Sequence, residues 1–177
     1  MRLVEPAPDF DSDFRSKLSY LLRWRRDVRL FQTDPLPADT LQKLAEAARL
    51  APSEGLSEPW RFVVVASEQR RRAMRENFEL ANANALRGYK GYDARLYASL
   101  KLSGMDDAPQ RLAVFTDQET DQGHWLGRET MPETLTYSTV AAVHTLWLAA
   151  SAERIGVGWV SILETDSLNE TLDVPAA

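Results

Sequence analysis

Between Glu133 and Glu153 the chain carries no charged residue. Leu135, Val140, Val143, Leu146, Trp147 and Leu148, with alanines at 141, 142, 149, 150 and 152, cover nearly the whole circumference of the helix this stretch would form. A helix apolar on all sides has to be packed on several of them. Gly156 and Gly158 interrupt it, and Trp159-Val160-Ser161-Ile162-Leu163 has strand character. A long core helix, a glycine turn and a buried strand are therefore expected. The stretch is long enough to suggest a membrane span. However, Thr134, Thr136, Tyr137, Ser138, Thr139, His144, Thr145 and Ser151 are too many polar groups for lipid. A central core helix, shared with a second subunit as one way to cover every side, is the better reading.

The remaining totals narrow the class. A chain of 177 residues suffices for one domain with a proper core, expected over residues 14–177 behind an acidic, mobile tail at 1–13. The formal net charge of −5 disfavours nucleic acid and anionic membrane as partners. With no cysteine, and only His124 and His144 as imidazoles, thiolate chemistry and histidine-rich metal sites lack their ligands. Glu5, Asp9, Asp11 and Asp13 stand where a signal peptide needs a basic and then an apolar run, so the expected compartment is the cytoplasm.

Phe14, Leu18, Leu21 and Leu22 recur at helical spacing and predict an amphipathic helix through Trp24. It leads into Arg23-Trp24-Arg25-Arg26-Asp27-Val28-Arg29. On residue types alone this is either a solvated, self-paired charge run or an anion site. Guanidinium forks bind phosphate bidentately, and several on one segment can surround a single phosphate. Leu41, Leu44, Ala45 and Ala48 predict a second helix, ended by Pro52. Residues 51–60 form a loop of small and polar groups. Residues 61–66 read as a strand, with Phe62-Val63-Val64-Val65 buried on both faces. Ser67 is a plausible cap for a basic helix through Arg70, Met74, Phe78 and Ala81, whose arginines read as a solvated face. Residues 82–104 are less regular and carry tyrosines and glycines, 111–116 predict another strand, and Leu168 and Leu172 a short helical turn. Three strands separated by long helical stretches imply an α+β or α/β three-layer domain. No dinucleotide fingerprint, P-loop or nucleophile elbow is present.

Three segments together resemble the nitroreductase-like flavoproteins. Arg25-Arg26-Asp27-Val28-Arg29 resembles their flavin-phosphate segment, Ala51-Pro52-Ser53 through Pro59-Trp60-Arg61-Phe62 their second flavin segment, and Ile155-Gly156-Val157-Gly158-Trp159-Val160-Ser161-Ile162-Leu163 their third. Further details are similar to one branch, the 5,6-dimethylbenzimidazole synthases. Aspartate stands at 27 where serine is usual in nitroreductases. Tyr97-Ala98-Ser99-Leu100-Lys101-Leu102-Ser103-Gly104 resembles the branch's lid segment. Leu126-Gly127-Arg128-Glu129-Thr130-Met131-Pro132-Glu133, followed by Tyr137-Ser138, resembles its approach to the central helix. The resemblance covers about residues 14–175.

The resemblance implies a nitroreductase-like three-layer sandwich, a central mixed sheet flanked by helices, in a homodimer with flavin at the subunit interface. It implies that reduced FMN and dioxygen enter and that the flavin is consumed, giving 5,6-dimethylbenzimidazole, the lower ligand of cobalamin, and erythrose 4-phosphate. NAD(P)H acts only indirectly, through a separate flavin reductase. By resemblance, Arg25, Arg26 and Arg29, with Val28 in the same segment, hold the phosphate and ribityl chain. Ser53 bonds the isoalloxazine edge and the Leu102 backbone covers it. Backbone donors near Ser161 stabilise charge on the reduced ring. Asp27 is the acid–base residue and Ser161 the second functional polar residue.

Blander readings stand beside these. Asp27 is an ion-pair partner for Arg25 or Arg29, Ser53 a turn residue, and Ser161 a small residue in a buried strand. Trp60, Trp159 and His144 are core. The family continues past Asp173-Val174-Pro175 into a final strand, so that strand is expected to be missing here, leaving a sheet edge open. Two other functions remain open at this point: an NAD(P)H-dependent nitroreductase or flavin reductase, and a non-catalytic flavin-binding remnant.

Overall fold

The computed structural model describes residues 8–87, 104–125 and 127–174. Helix α1 (Ser12–Trp24) begins ahead of the expected Phe14, because the Asp11 carboxylate accepts a hydrogen bond from the Phe14 N–H at 2.7 Å and caps it. The expected tail therefore ends earlier, and its residues 1–7 lie outside the described residues. Helix α2 spans Thr40–Ala48, and a single 3₁₀ turn, Glu54–Leu56, follows. Strand β1 is Trp60–Val64. Ser67 caps α3 (Glu68–Leu86) as expected, accepting from the Arg70 N–H at 3.2 Å. That helix continues through part of the stretch expected to be irregular. The short α4 (Gly104–Asp107), β2 (Leu112–Thr116), the central α5 (Thr134–Ala152) and α6 (Thr165–Leu172) complete the order.

β1 and β2 pair antiparallel, with Trp60 opposite Thr116 and Val64 opposite Leu112. Cross-strand partners share a face, and successive residues alternate. Trp60, Phe62 and Leu112 thus pack against Leu44 and Ala48 of α2 and Ala142, Leu146 and Ala150 of α5. Ala113 and Phe115 point the other way, into a cluster with Met74 and Phe78 of α3 and Leu168 and Leu172 of α6. The α+β three-layer arrangement is borne out. Its sheet is smaller than the expected central mixed sheet: two antiparallel strands among the described residues. Burial of 62–65 on both faces is not found. Val65 is fully buried, but Phe62 and Val63 are half-buried and Val64 is exposed. Arginines of α3 do more than face solvent. Arg71 donates to the carbonyls of Val65 (3.1 Å) and Pro109 (2.8 Å), tying the helix to the sheet.

The expected strand over 159–163 is absent. Pairing stops at one parallel bridge between Asp27 and Val157, with the Val28 N–H donating to the Val157 carbonyl at 3.0 Å. The next donor in line, the Trp159 N–H, goes to the Asp27 side chain instead of to a neighbouring strand, and this ends the ladder.

Helix α5 is not covered on every side. Leu135, Ala142, Leu146, Trp147 and Ala150 are buried, while Tyr137, Val140 and His144 form an exposed stripe. His144 is thus not a core histidine, and Trp159 is 42% exposed rather than core. Helix α1 buries none of its residues, and its apolar Phe14, Leu18 and Leu22 are bare. Among the described residues, no helix is long and apolar enough to cross a membrane.

Candidate functional site

Where α1 ends, the chain turns and residues 27–28 run alongside residues 156–158. Glycine makes that approach possible. A Cβ at Gly156 would lie 3.0 Å from the Val28 side chain, and one at Gly158 would sit inside the van der Waals envelope of the Val28 carbonyl oxygen. The close approach brings the Asp27 carboxylate to the Trp159 N–H, at 2.9 Å from Oδ1, while Oδ2 pairs with the Arg29 guanidinium. Both carboxylate oxygens are therefore oriented. Ser161 is two residues beyond Trp159, at most about 7 Å along the chain, and is exposed rather than buried in a strand.

The three arginines differ in what they have left to offer. Arg26 turns back and donates to the carbonyls of Arg23 and, at 2.8 Å, Arg25, at the end of α1. Arg29 is engaged with Asp27. Arg25 has no hydrogen-bond or carboxylate partner for its guanidinium among the described residues. The group lies instead over the Trp147 ring, 4.8 Å from the centroid. Its N–H edge is thus available to an anion. No local sequence signal marks Trp147 as part of this site, because the contact joins residues far apart in the chain.

Ser53 sits in the loop after α2. Its hydroxyl oxygen accepts from the Glu58 N–H at 3.3 Å, as a turn residue would, and its proton remains free to donate. The loop is clamped from two sides. The Glu54 N–H donates to Ser138 Oγ of α5 at 3.0 Å, and Gln122 donates to the Leu56 carbonyl at 3.0 Å. Leu102 and most of the expected lid lie outside the described residues. Its last residue, Gly104, is buried so closely against the Arg29 carbonyl and the Phe31 ring that an added Cβ would meet them at 2.9 and 2.8 Å.

Two anchors on α5 hold these groups. Ser138 anchors the Ser53 loop and Trp147 carries Arg25, and the two lie nine positions apart on α5. At about 100° per residue that is two and a half turns, so they face opposite sides, displaced by roughly 13 Å along the axis. Asp27, Val28, Arg25, Arg29 and the 156–161 segment are assembled together, and among the described residues the Ser53 loop makes no hydrogen bond to them.

The nitroreductase family pattern matches residues 22–177. The chain belongs to the nitroreductase family. It is 52% identical over 175 residues to a 5,6-dimethylbenzimidazole synthase of Rhodospirillum rubrum, covering 98% of this chain and 82% of the relative. It is 45% identical over 167 residues to a 5,6-dimethylbenzimidazole synthase of Rhodobacter capsulatus, covering 94% and 81%. The resemblance to that branch is borne out. In three dimensions the chain is similar to an iodotyrosine deiodinase bound to FMN and 3-iodo-L-tyrosine (TM-score 0.75, 21% identity, 90% of this chain and 82% of that one). It is also similar to a BluB-like flavoprotein from Clostridium difficile 630 (TM-score 0.67, 19% identity, 88% and 80%). At these identities the structures establish the fold: the nitroreductase family's α+β architecture.

Proposed function

We propose that the chain is a 5,6-dimethylbenzimidazole synthase that fragments reduced FMN with dioxygen, with FMN as substrate rather than recycled cofactor. The observation that carries this reading is Asp27. It occupies the arginine segment with both carboxylate oxygens oriented, beside an arginine whose guanidinium has no hydrogen-bond or carboxylate partner among the described residues, in a chain half identical to such synthases. The residues fit an anionic flavin. Arg25 offers its N–H edge to the phosphate, and Arg29 adds positive charge. The Ser53 hydroxyl has a proton to donate to the ring edge. Bound reduced flavin supplies the reactivity toward oxygen. The protein's part is to orient the flavin, exclude water and move protons, with Asp27 as the acid–base group and Ser161 as a second polar group within reach of the same segment. The electrons come from NAD(P)H through a separate flavin reductase.

Anaerobic reduction of FMN in the presence of the protein, followed by admission of air and product identification by chromatography and mass, tests the reading. The expected result is 5,6-dimethylbenzimidazole in step with loss of flavin. Return of intact oxidised FMN overturns it.

The same reading includes a homodimer. Arg25 and Ser53 lie on opposite sides of α5, so a flavin touching both takes them from two chains. The bare stripe of Tyr137, Val140 and His144, with the bare face of α1, provides apolar surface for a second copy. Val140→Lys places an unpaired charge on that surface. It is expected to weaken self-association by about tenfold or more, read by sedimentation against protein concentration. Association as tight as that of the unsubstituted chain sinks the assignment of this face.

A further inference from the structure

We infer that Trp147 is a positioning residue that sets the preference of the site for a phosphorylated flavin over an unphosphorylated one, by holding Arg25 with its donor edge free. The inference rests on the proposed FMN site and names what makes one of its arginines effective.

An arginine in a loop has five donors and a flexible stem. It can pair with a nearby carboxylate or carbonyl. Its neighbours behave this way: Arg26 folds onto carbonyls at the end of its own helix and Arg29 takes Asp27. Arg25 does not. Its guanidinium lies over an indole face at 4.8 Å, half-buried. A guanidinium held over an indole face uses none of its N–H donors on that contact, so they stay available for a bidentate phosphate contact.

Trp147 is well suited to hold that pose. It is 7% exposed, on a 19-residue helix with eight buried residues, so the platform is fixed before any ligand arrives. Its ring also packs near Trp159, with centroids 6.4 Å apart, and the Trp159 N–H is the donor that orients Asp27. One buried side chain thus backs both the phosphate arm and the segment that orients the acid–base arm. Ordering Arg25 in advance removes the rotamer entropy that binding would otherwise cost.

The test is the ratio of riboflavin to FMN dissociation constants, measured by flavin fluorescence on the full chain. The series is the unsubstituted protein, Arg25→Ala, Trp147→Leu, Trp147→Met and Trp147→Phe. Arg25→Ala is expected to lower the ratio about tenfold. Trp147→Leu should lower it roughly three- to tenfold while riboflavin affinity changes less than twofold, and Trp147→Phe, which keeps a π-face, should restore most of it. A merely structural role for Trp147 would weaken both flavins in proportion, and that result overturns the proposal. An unchanged ratio in Trp147→Leu, or a Phe variant no better than Leu, also overturns it. Where Trp147→Leu does not fold, Trp147→Met against Trp147→Phe reads the same contrast with a smaller change in volume. Equal affinity of the unsubstituted chain for both flavins removes Arg25 from phosphate binding and Trp147 with it. A shifted ratio in a protein that leaves flavin intact after oxygen exposure supports the role of Trp147 while removing the synthase reading.

Discussion

Asp27→Asn is expected to lower 5,6-dimethylbenzimidazole formation by about 10²–10⁴ while FMN still binds. The substitution is informative because so little else changes. The asparagine carbonyl can still accept from the Trp159 N–H, so the junction of residues 27–28 with 156–159 keeps its geometry. The pair with Arg29 is lost, which leaves that guanidinium more available to a phosphate rather than less. Binding therefore should not fall with turnover. What disappears is a carboxylate able to give and take a proton at that point. Asp27→Ala serves as the contrast. It also removes the acceptor for Trp159, so stability and binding should suffer along with turnover. Normal product formation in Asp27→Asn would reduce Asp27 to an ion-pair partner and remove it from the mechanism.

Gly158→Ala should be the most damaging small substitution in the site. The added methyl meets the Val28 carbonyl oxygen, a backbone atom that cannot rotate away. The two chain segments must separate, and with them go the Val28–Val157 bond and the Trp159–Asp27 bond. Overpacking of this kind costs about 1–3 kcal/mol, and for a chain of this size the midpoint of thermal unfolding falls by roughly 2–4 °C per kcal/mol. FMN affinity and turnover should fall together. At Gly156 the nearest atoms to the added methyl belong to the Val28 side chain, at 3.0 Å and beyond, a milder clash that a shift of a few tenths of an ångström relieves. Gly156→Ala is therefore expected to cost less. Melting curves of the two variants give the ranking, and a Gly158→Ala protein as stable as the parent would mean that the close approach does not constrain the site.

What the sequence revealed follows the range of the forces involved. The helices α1, α2, α3 and α5 are specified by apolar spacing and by caps such as Asp11 and Ser67, which act within a turn of the chain. Strands β1 and β2 are short apolar runs between turn residues. The expected strand over 159–163 has the same composition, yet a side chain more than a hundred residues away takes the hydrogen bond that would have extended its ladder. Local pattern carries no trace of that competition. The same holds for the exposed stripe on α5. A residue on the open side of such a helix and one facing the core look alike in a pattern without charges, which is why His144 and Val140 read as buried. By charge alone the arginine segment was legible as either a self-paired run or an anion site, and Arg29 with Asp27 follows the first of these. That Arg25 lies over a tryptophan on another helix, while Arg26 and Arg29 pair locally, is a long-range contact with no local signal.

The placement of Arg25 and Ser53 on opposite sides of α5 carries a consequence for heredity as much as for chemistry. In a symmetric pair each cavity would draw its arginine segment from one chain and its Ser53 loop from the other. A chain damaged at Asp27 and a chain damaged at Ser53, each inactive with its own kind, would then rescue one another on mixing. In the mixed pair both lesions fall in one cavity and the other is whole. Two alleles of the same gene, neither able to make the product alone, would together restore it.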